Sequence, residues 1–128
     1  MTDAGGAAAQ IEQAERSLRS AQILLDDGDV NGAMNRLYYA VFHGACAALA
    51  SRGIEIPRTH AGTIGKFGQA FVKPGIVDLE LGRTFKEAEQ VRYAADYRGD
   101  VLGVDVVEPM MRAGAAFVSR MKELTGAG

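Results

Sequence analysis

The chain has no tryptophan, one cysteine, two histidines and three prolines in 128 residues. A single cysteine, Cys46, excludes a disulfide framework within one chain and fits a reducing compartment. It is expected to be a small buried hydrophobe. With only His43, His60 and Cys46 as soft ligands, and no His-Glu-x-x-His, Cys-x-x-Cys or Glu-x-x-His motif, no metal centre is expected. Neither a Gly-x-x-x-x-Gly-Lys-Ser/Thr loop nor a Gly-x-Gly-x-x-Gly loop occurs. Nucleotide contact would therefore come from side chains between helices, and no cofactor is expected. Positive charge is not in excess, with 14 Lys and Arg against 16 Asp and Glu and a net charge of −2. That argues against an indiscriminate nucleic-acid binder but leaves room for a local basic groove. The N-terminal MTDAGGAAAQ lacks the basic start and apolar run of a leader, and charged residues interrupt every long apolar stretch. Neither a leader nor a membrane span is expected, and a cytoplasmic location follows as an expectation. Strand-like alternation of useful length and internal repeats are also missing.

What is present is helical. Hydrophobic residues are 48% and charged residues 23% of the chain, the balance of a globular domain. The length suits a single domain, residues 1–128 with an ordered core over about 7–124. Ile11, Ala14, Leu18, Ala21 and Leu25 recur at spacings of three and four and mark a first helix from about Ala7 to Asp27. Gly28 suits the turn after it, and Asp29 suits the cap of the next helix. That second helix, Asn31 to about Gly53, is apolar or small on nearly every side, so it belongs at the centre of the domain. Pro57 and Thr59 introduce a third helix from His60 to Phe71, weakened by Gly62, Gly65 and Gly68. A fourth is predicted over Val77–Tyr97 with Leu81, Phe85, Ala88 and Ala95 inside. A fifth is predicted from near Asp105, where Asp105 and Glu108 resemble a capping box. The fold class is all-α, an up-and-down antiparallel bundle of four to five helices.

Three polar residues occupy faces that should be apolar. Arg36 and His43 lie seven apart on the central helix with Tyr39 between them, and Arg92 falls between Ala88 and Ala95. A buried arginine needs partners, for which Asp96, Asp29 and Glu89 are candidates. Its planar fork also suits phosphate oxygens. Arg36 and His43 are therefore candidate catalytic residues, the arginine holding phosphate and the histidine moving a proton. Arg36, Arg92, Asp96 and Tyr97 are the candidate nucleotide or phosphate site. All four tyrosines, Tyr38, Tyr39, Tyr93 and Tyr97, sit in these two stretches, as core rings, as stacking platforms or as hydroxyls open to modification. Arg52, Arg58, His60, Lys66 and Lys73 place positive charge around the middle connector.

Asn35-Arg36-Leu37-Tyr38-Tyr39-Ala40-Val41-Phe42-His43 resembles the R-x-Y-Y-A-x-F-H segment of bacterial and archaeal HEPN domains. Arg92-Tyr93-Ala94-Ala95-Asp96-Tyr97 resembles the later R-x-x-A-D-Y signature of the same subgroup. Together, in order and on separate helices, they cover a match from about Ala7 to Leu124. The resemblance implies a helical bundle that often forms a homodimer. It also implies a minimal nucleotidyltransferase as partner in a two-gene, often toxin–antitoxin, module, with RNA or nucleotide as ligand. The resemblance implies that active members are metal-independent ribonucleases with an Arg-x4–6-His motif near the fourth helix, sometimes followed by a tyrosine that the partner modifies. Here four residues separate Arg92 from Tyr97, and no histidine follows. Tyr93 and Tyr97 are the modification candidates. A metal-independent endoribonuclease toxin and a non-catalytic interaction module are the alternatives.

Overall fold

The computed structural model describes residues 3–126, with side chains from Gly6 onward. Among these residues there are five α-helices and no strand. They are α1 (Asp3–Asp26), α2 (Val30–Ser51), α3 (His60–Phe67), α4 (Leu79–Tyr97) and α5 (Val104–Thr125), with α3 running on into a π-helical turn, Gly68–Val72. Gly28, at φ 91°, turns the chain between α1 and α2, so these two pack antiparallel. Gly114 of α5 lies against Leu37 and Val41, and Met121 lies against Gly44, so α5 runs parallel to α2. Asn35 near the start of α2 meets Asp96 near the end of α4, so α4 runs antiparallel to it. This is an up-and-down all-α bundle, with α3 as a short element before α4.

The central position of α2 follows from its composition. Twelve of its residues are buried, from Ala33 to Leu49, and it packs against α1, α4 and α5. Gly44, Ala45, Ala47 and Ala48 are all buried and let the neighbouring backbones come close. Beneath α3 and α4, Phe67, Phe71, Phe85 and Phe117 form a ring cluster with the Phe67 centroid 5.4–5.8 Å from the other three. Each such ring, fully buried, contributes about 1.5–3 kcal/mol relative to exposure.

Side chains cap three helices. Asp29 accepts from Gly32 N at 2.9 Å, Thr59 from Gly62 N at 2.9 Å, and Asp78 from Leu81 N at 3.1 Å. The expected cap of α5 is different. Gly103 occupies the N-cap without a side-chain bond, and Asp105 is already in the first turn. The helix starts early because the segment before it is anchored elsewhere. Asn31 Nδ2 donates to the Asp100 carbonyl at 2.8 Å, and its Oδ1 accepts from Leu102 N at 2.9 Å. Two other boundaries move. α1 reaches back to Asp3 rather than Ala7, and the third helix gives way to the π turn after Phe67 rather than continuing to Phe71. Met1, Thr2, Ala127 and Gly128, where loose ends were expected, lie outside the described residues.

Two glycines make opposite predictions. A Cβ at Gly114 would overlap Leu37 Cδ1, in a core with nowhere to move. Gly114→Ala should therefore cost about 1–3 kcal/mol in urea unfolding. A Cβ at Gly65 meets nothing within 4 Å. Gly65→Ala should stabilise by about 0.5–1 kcal/mol.

Candidate functional site

The site is built where α4 crosses the first half of α2. The stripe Phe85, Ala88, Arg92, Ala95 faces inward, which carries the Arg92 side chain into the bundle at 4% exposure. Its guanidinium is held on both sides by its own helix. Nη2 donates to Glu89 Oε1, and Nη1 lies 3.6 Å from Asp96 Oδ2. Below it lies the Tyr38 ring, 4.6 Å from Cζ, and beside it the Tyr97 ring, at 5.6 Å. Burial alone would make the charge harder to keep, but the Glu89 carboxylate, with Tyr97 and Tyr38, together offset it and keep Arg92 protonated. Asn35 of α2 then donates to Asp96 Oδ2 at 2.9 Å, tying the cluster to the central helix.

Among the described residues Arg92 Nε is buried without a hydrogen-bond partner, and the Tyr38 hydroxyl is buried beside the Glu89 carboxylate. Burial, with the Glu89 carboxylate close by, pushes the Tyr38 hydroxyl well above the ordinary tyrosine range. It stays neutral and is no candidate nucleophile. Tyr93 and Tyr97 differ sharply from it. They are 49% and 67% exposed, with ring centroids 4.8 Å apart on the outer face of α4.

Arg36 and His43 occupy the half-buried face of α2. Arg36 stacks its guanidinium on Tyr39, 5.1 Å from the ring centroid, and among the described residues no carboxylate pairs with it and its buried Nε has no partner. His43 reaches to α1 instead, its Nδ1 lying 2.8 Å from Gln10 Oε1. With an oxygen there, Nδ1 carries the proton and Nε2 keeps the basic lone pair. Burial, and then the Arg36 charge, lower the His43 pKa below 6.5, so the ring is neutral at pH 7. His60, counted among the positive charges, instead packs its ring 4.8 Å from Phe42 and against Tyr38 and Tyr39. Cys46 is buried, its thiol pushed up to about 12 by desolvation, so it is inert.

The structure therefore brings Arg92, Asp96 and Tyr97 into direct contact. Arg36 and His43 lie on the same central helix but make separate contacts, one with Tyr39 and one with α1. Sequence reasoning missed Asn35, Gln10 and the placement of the Tyr38 ring under Arg92. Asn35 carries a sequence signal, since it sits beside Arg36 on an otherwise apolar helix. Among the described residues no group of three or more His, Cys, Asp or Glu side chains is placed to hold a metal ion, and no helix is long and apolar enough to cross a membrane.

An all-α bundle with an arginine buried beside tyrosines at the α2–α4 crossing defines the class. The family model that matches it is the HEPN domain, over residues 7–124, and the chain belongs to this family. Among curated relatives, two proteins of Methanocaldococcus jannaschii carry the name "Putative toxin". One is 36% identical over 90% of this chain and 85% of its own length, the other 30% identical over 88% and 77%. A Thermotoga maritima protein named "UPF0332 protein" is 30% identical over 88% of this chain and 85% of its own.

Two measurements check the site. Replacing Arg92 with Met strips the partner from Glu89 and Asp96, whose side chains are 23% and 28% exposed. Solvent can partly rehydrate them, so the expected loss is about 1–3 kcal/mol rather than the larger cost of a fully buried orphan. The pH dependence has a definite sign. Because the folded His43 pKa lies below its unfolded value of 6.5, the unfolded chain takes up more protons there. The stability that the neutral ring contributes is full above pH 6.5 and falls as pH drops through and below it. His43→Gln should flatten the slope of Tm against pH between about pH 7 and pH 5.

Proposed function

We propose that the chain is the HEPN component of a two-protein, toxin–antitoxin-like module, acting with a minimal nucleotidyltransferase and binding a nucleotide or RNA phosphate at the α2–α4 face or across a dimer. The observation that carries this reading is the charged cluster at the helix crossing. A buried, permanently charged Arg92 is framed by Tyr38 and Tyr97, while Arg36, without a carboxylate partner, offers its guanidinium on the half-buried face of α2. Arg36 is the better placed of the two to meet an incoming phosphate, because both terminal nitrogens of Arg92 already face carboxylates. Asp96 then orients Arg92 and Asn35 rather than touching the anion itself. The names of the Methanocaldococcus jannaschii relatives support a toxin-like role.

Tyr97 and Tyr93 are the hydroxyls open to modification. Their exposure lets the phenol oxygen reach and attack the α-phosphorus of ATP held by the partner enzyme. The new bond is tyrosine oxygen to phosphorus, the bond to pyrophosphate breaks, and the phenolic proton passes to a base or water. The test is the intact mass of the chain after incubation with ATP and the nucleotidyltransferase encoded beside it. The expected result is a gain of one or more AMP units, abolished by Tyr97→Phe or Tyr93→Phe. An unchanged mass contradicts the modified-partner reading.

One observation favours a second reading, RNA cleavage. His43 is neutral at pH 7 with Nε2 unprotonated, the state a general base requires, and it sits on the Arg36 stripe. In that case expression of the chain alone arrests growth, and His43→Ala relieves the arrest. Full toxicity of that variant removes His43 as the catalyst.

A further inference from the structure

A second surface lies beyond the arginine cluster. α3 and its π turn form one wall of an open groove of about 420 Å³, and the first half of α4 forms the other. Its floor is aliphatic, from Ile64, Val72 and Leu79, and Leu79 is left 59% exposed. Its cations are Lys73, Arg83 and Lys86. Among the described residues Lys73 and Lys86 make no ion pair, and Arg83 makes only an exposed one, 3.5 Å to Glu80. In a chain of net charge −2, three cations around an aliphatic floor are a local reversal of sign.

The glycines show that this groove is not a by-product of packing. Gly62 is required, since a Cβ there would press on Thr59 Oγ1 and Pro57 Cβ at 2.8 and 3.0 Å. Gly82 is required as well, because a Cβ would approach Val72 Cγ2 to 2.9 Å. Gly65 and Gly68 have no such reason, since a Cβ at either would meet nothing within 4 Å. Both line the groove, and what they do is leave it empty. The irregular backbone of the π turn adds to this, since such turns are frequent at functional sites.

We infer that this groove docks an acidic amphipathic helix of a partner protein. The partner's aliphatic side chains lie over Ile64, Val72 and Leu79, and its carboxylates meet Lys73, Arg83 and Lys86. The surface extends along α4. Leu79, Lys86 and Tyr93 are each seven residues apart, hence on one face at two-turn intervals, and that face ends at the exposed Tyr93–Tyr97 pair. A helix laid along it would span the groove and reach the tyrosines. RNA fits less well, because no aromatic ring lines the groove to stack a base.

The test uses the full chain and two probes in fluorescence anisotropy. One is a fluorescein-labelled synthetic helix with glutamates on one face and leucines on the other, and the other is a labelled single-stranded RNA. The acidic peptide should bind, its lysine-for-glutamate counterpart should not, and Lys73→Glu with Lys86→Glu should weaken binding at least about tenfold. Gly65→Gln, which fills the groove without touching the core, should weaken it as well while Tm is retained. No binding of the acidic peptide, binding indifferent to these substitutions, or binding of the RNA alone overturns the proposal.

Discussion

The structure depends on how one permanent charge is kept inside a helical bundle. Helical periodicity places Arg92 on the inward stripe of α4, where an unpaired cation would cost several kcal/mol in desolvation. Three kinds of neighbour offset that cost. Glu89 and Asp96 come from the same helix at the i−3 and i+4 positions, so their pairing follows from local geometry alone. The Tyr38 ring comes from α2 and supplies an electron-rich face to the guanidinium. Asn35, also from α2, completes Asp96. Docking of α2 against α4 adds the Tyr38 ring and Asn35 to the pairs that α4 makes on its own. That makes the cluster a constraint on the fold as well as a candidate site.

The central helix meets this constraint by dividing its surfaces. Its small residues face α1 and α5, where close backbone approach replaces bulky interdigitation. Its aromatic side, Tyr38, Tyr39 and Phe42, turns toward α3 and α4 and collects Arg92 and His60. Between these surfaces runs the half-buried stripe of Arg36, Tyr39 and His43. The reactive inventory is thereby sorted by environment. Cys46 and Tyr38 are buried and inert, His43 is kept neutral, and Tyr93 and Tyr97 are left in solvent.

Much of this was legible in the sequence. The apolar stripes of α1 and α4, the centrality of α2 and the caps at Asp29 and Thr59 follow from period and residue type, and they hold in the structure. Arg92 announced itself as a charge on an apolar stripe, with partners at helical spacing. What could not be read were contacts between segments distant in the chain. Asn35 with Asp96, His43 with Gln10 and Asn31 with the α4–α5 loop join residues 33 to 71 positions apart, and no local pattern encodes them. The capping box at Asp105 failed for the same reason. A tertiary anchor at Asn31 set where α5 begins, overriding a plausible local signal. The groove beside α3 showed in the sequence only through Gly65 and Gly68, two of the glycines that weaken that segment.

The central claim is that Asn35, Asp96 and Arg92 form one unit that joins α2 to α4 and fixes the site. A double-mutant cycle of Asn35→Ala and Arg92→Met, followed by urea unfolding, tests it most directly. The two residues do not touch except through Asp96. A coupling energy of about 0.5–2 kcal/mol is expected, because loss of either leaves Asp96 only half engaged. Strict additivity of the two substitutions would contradict it.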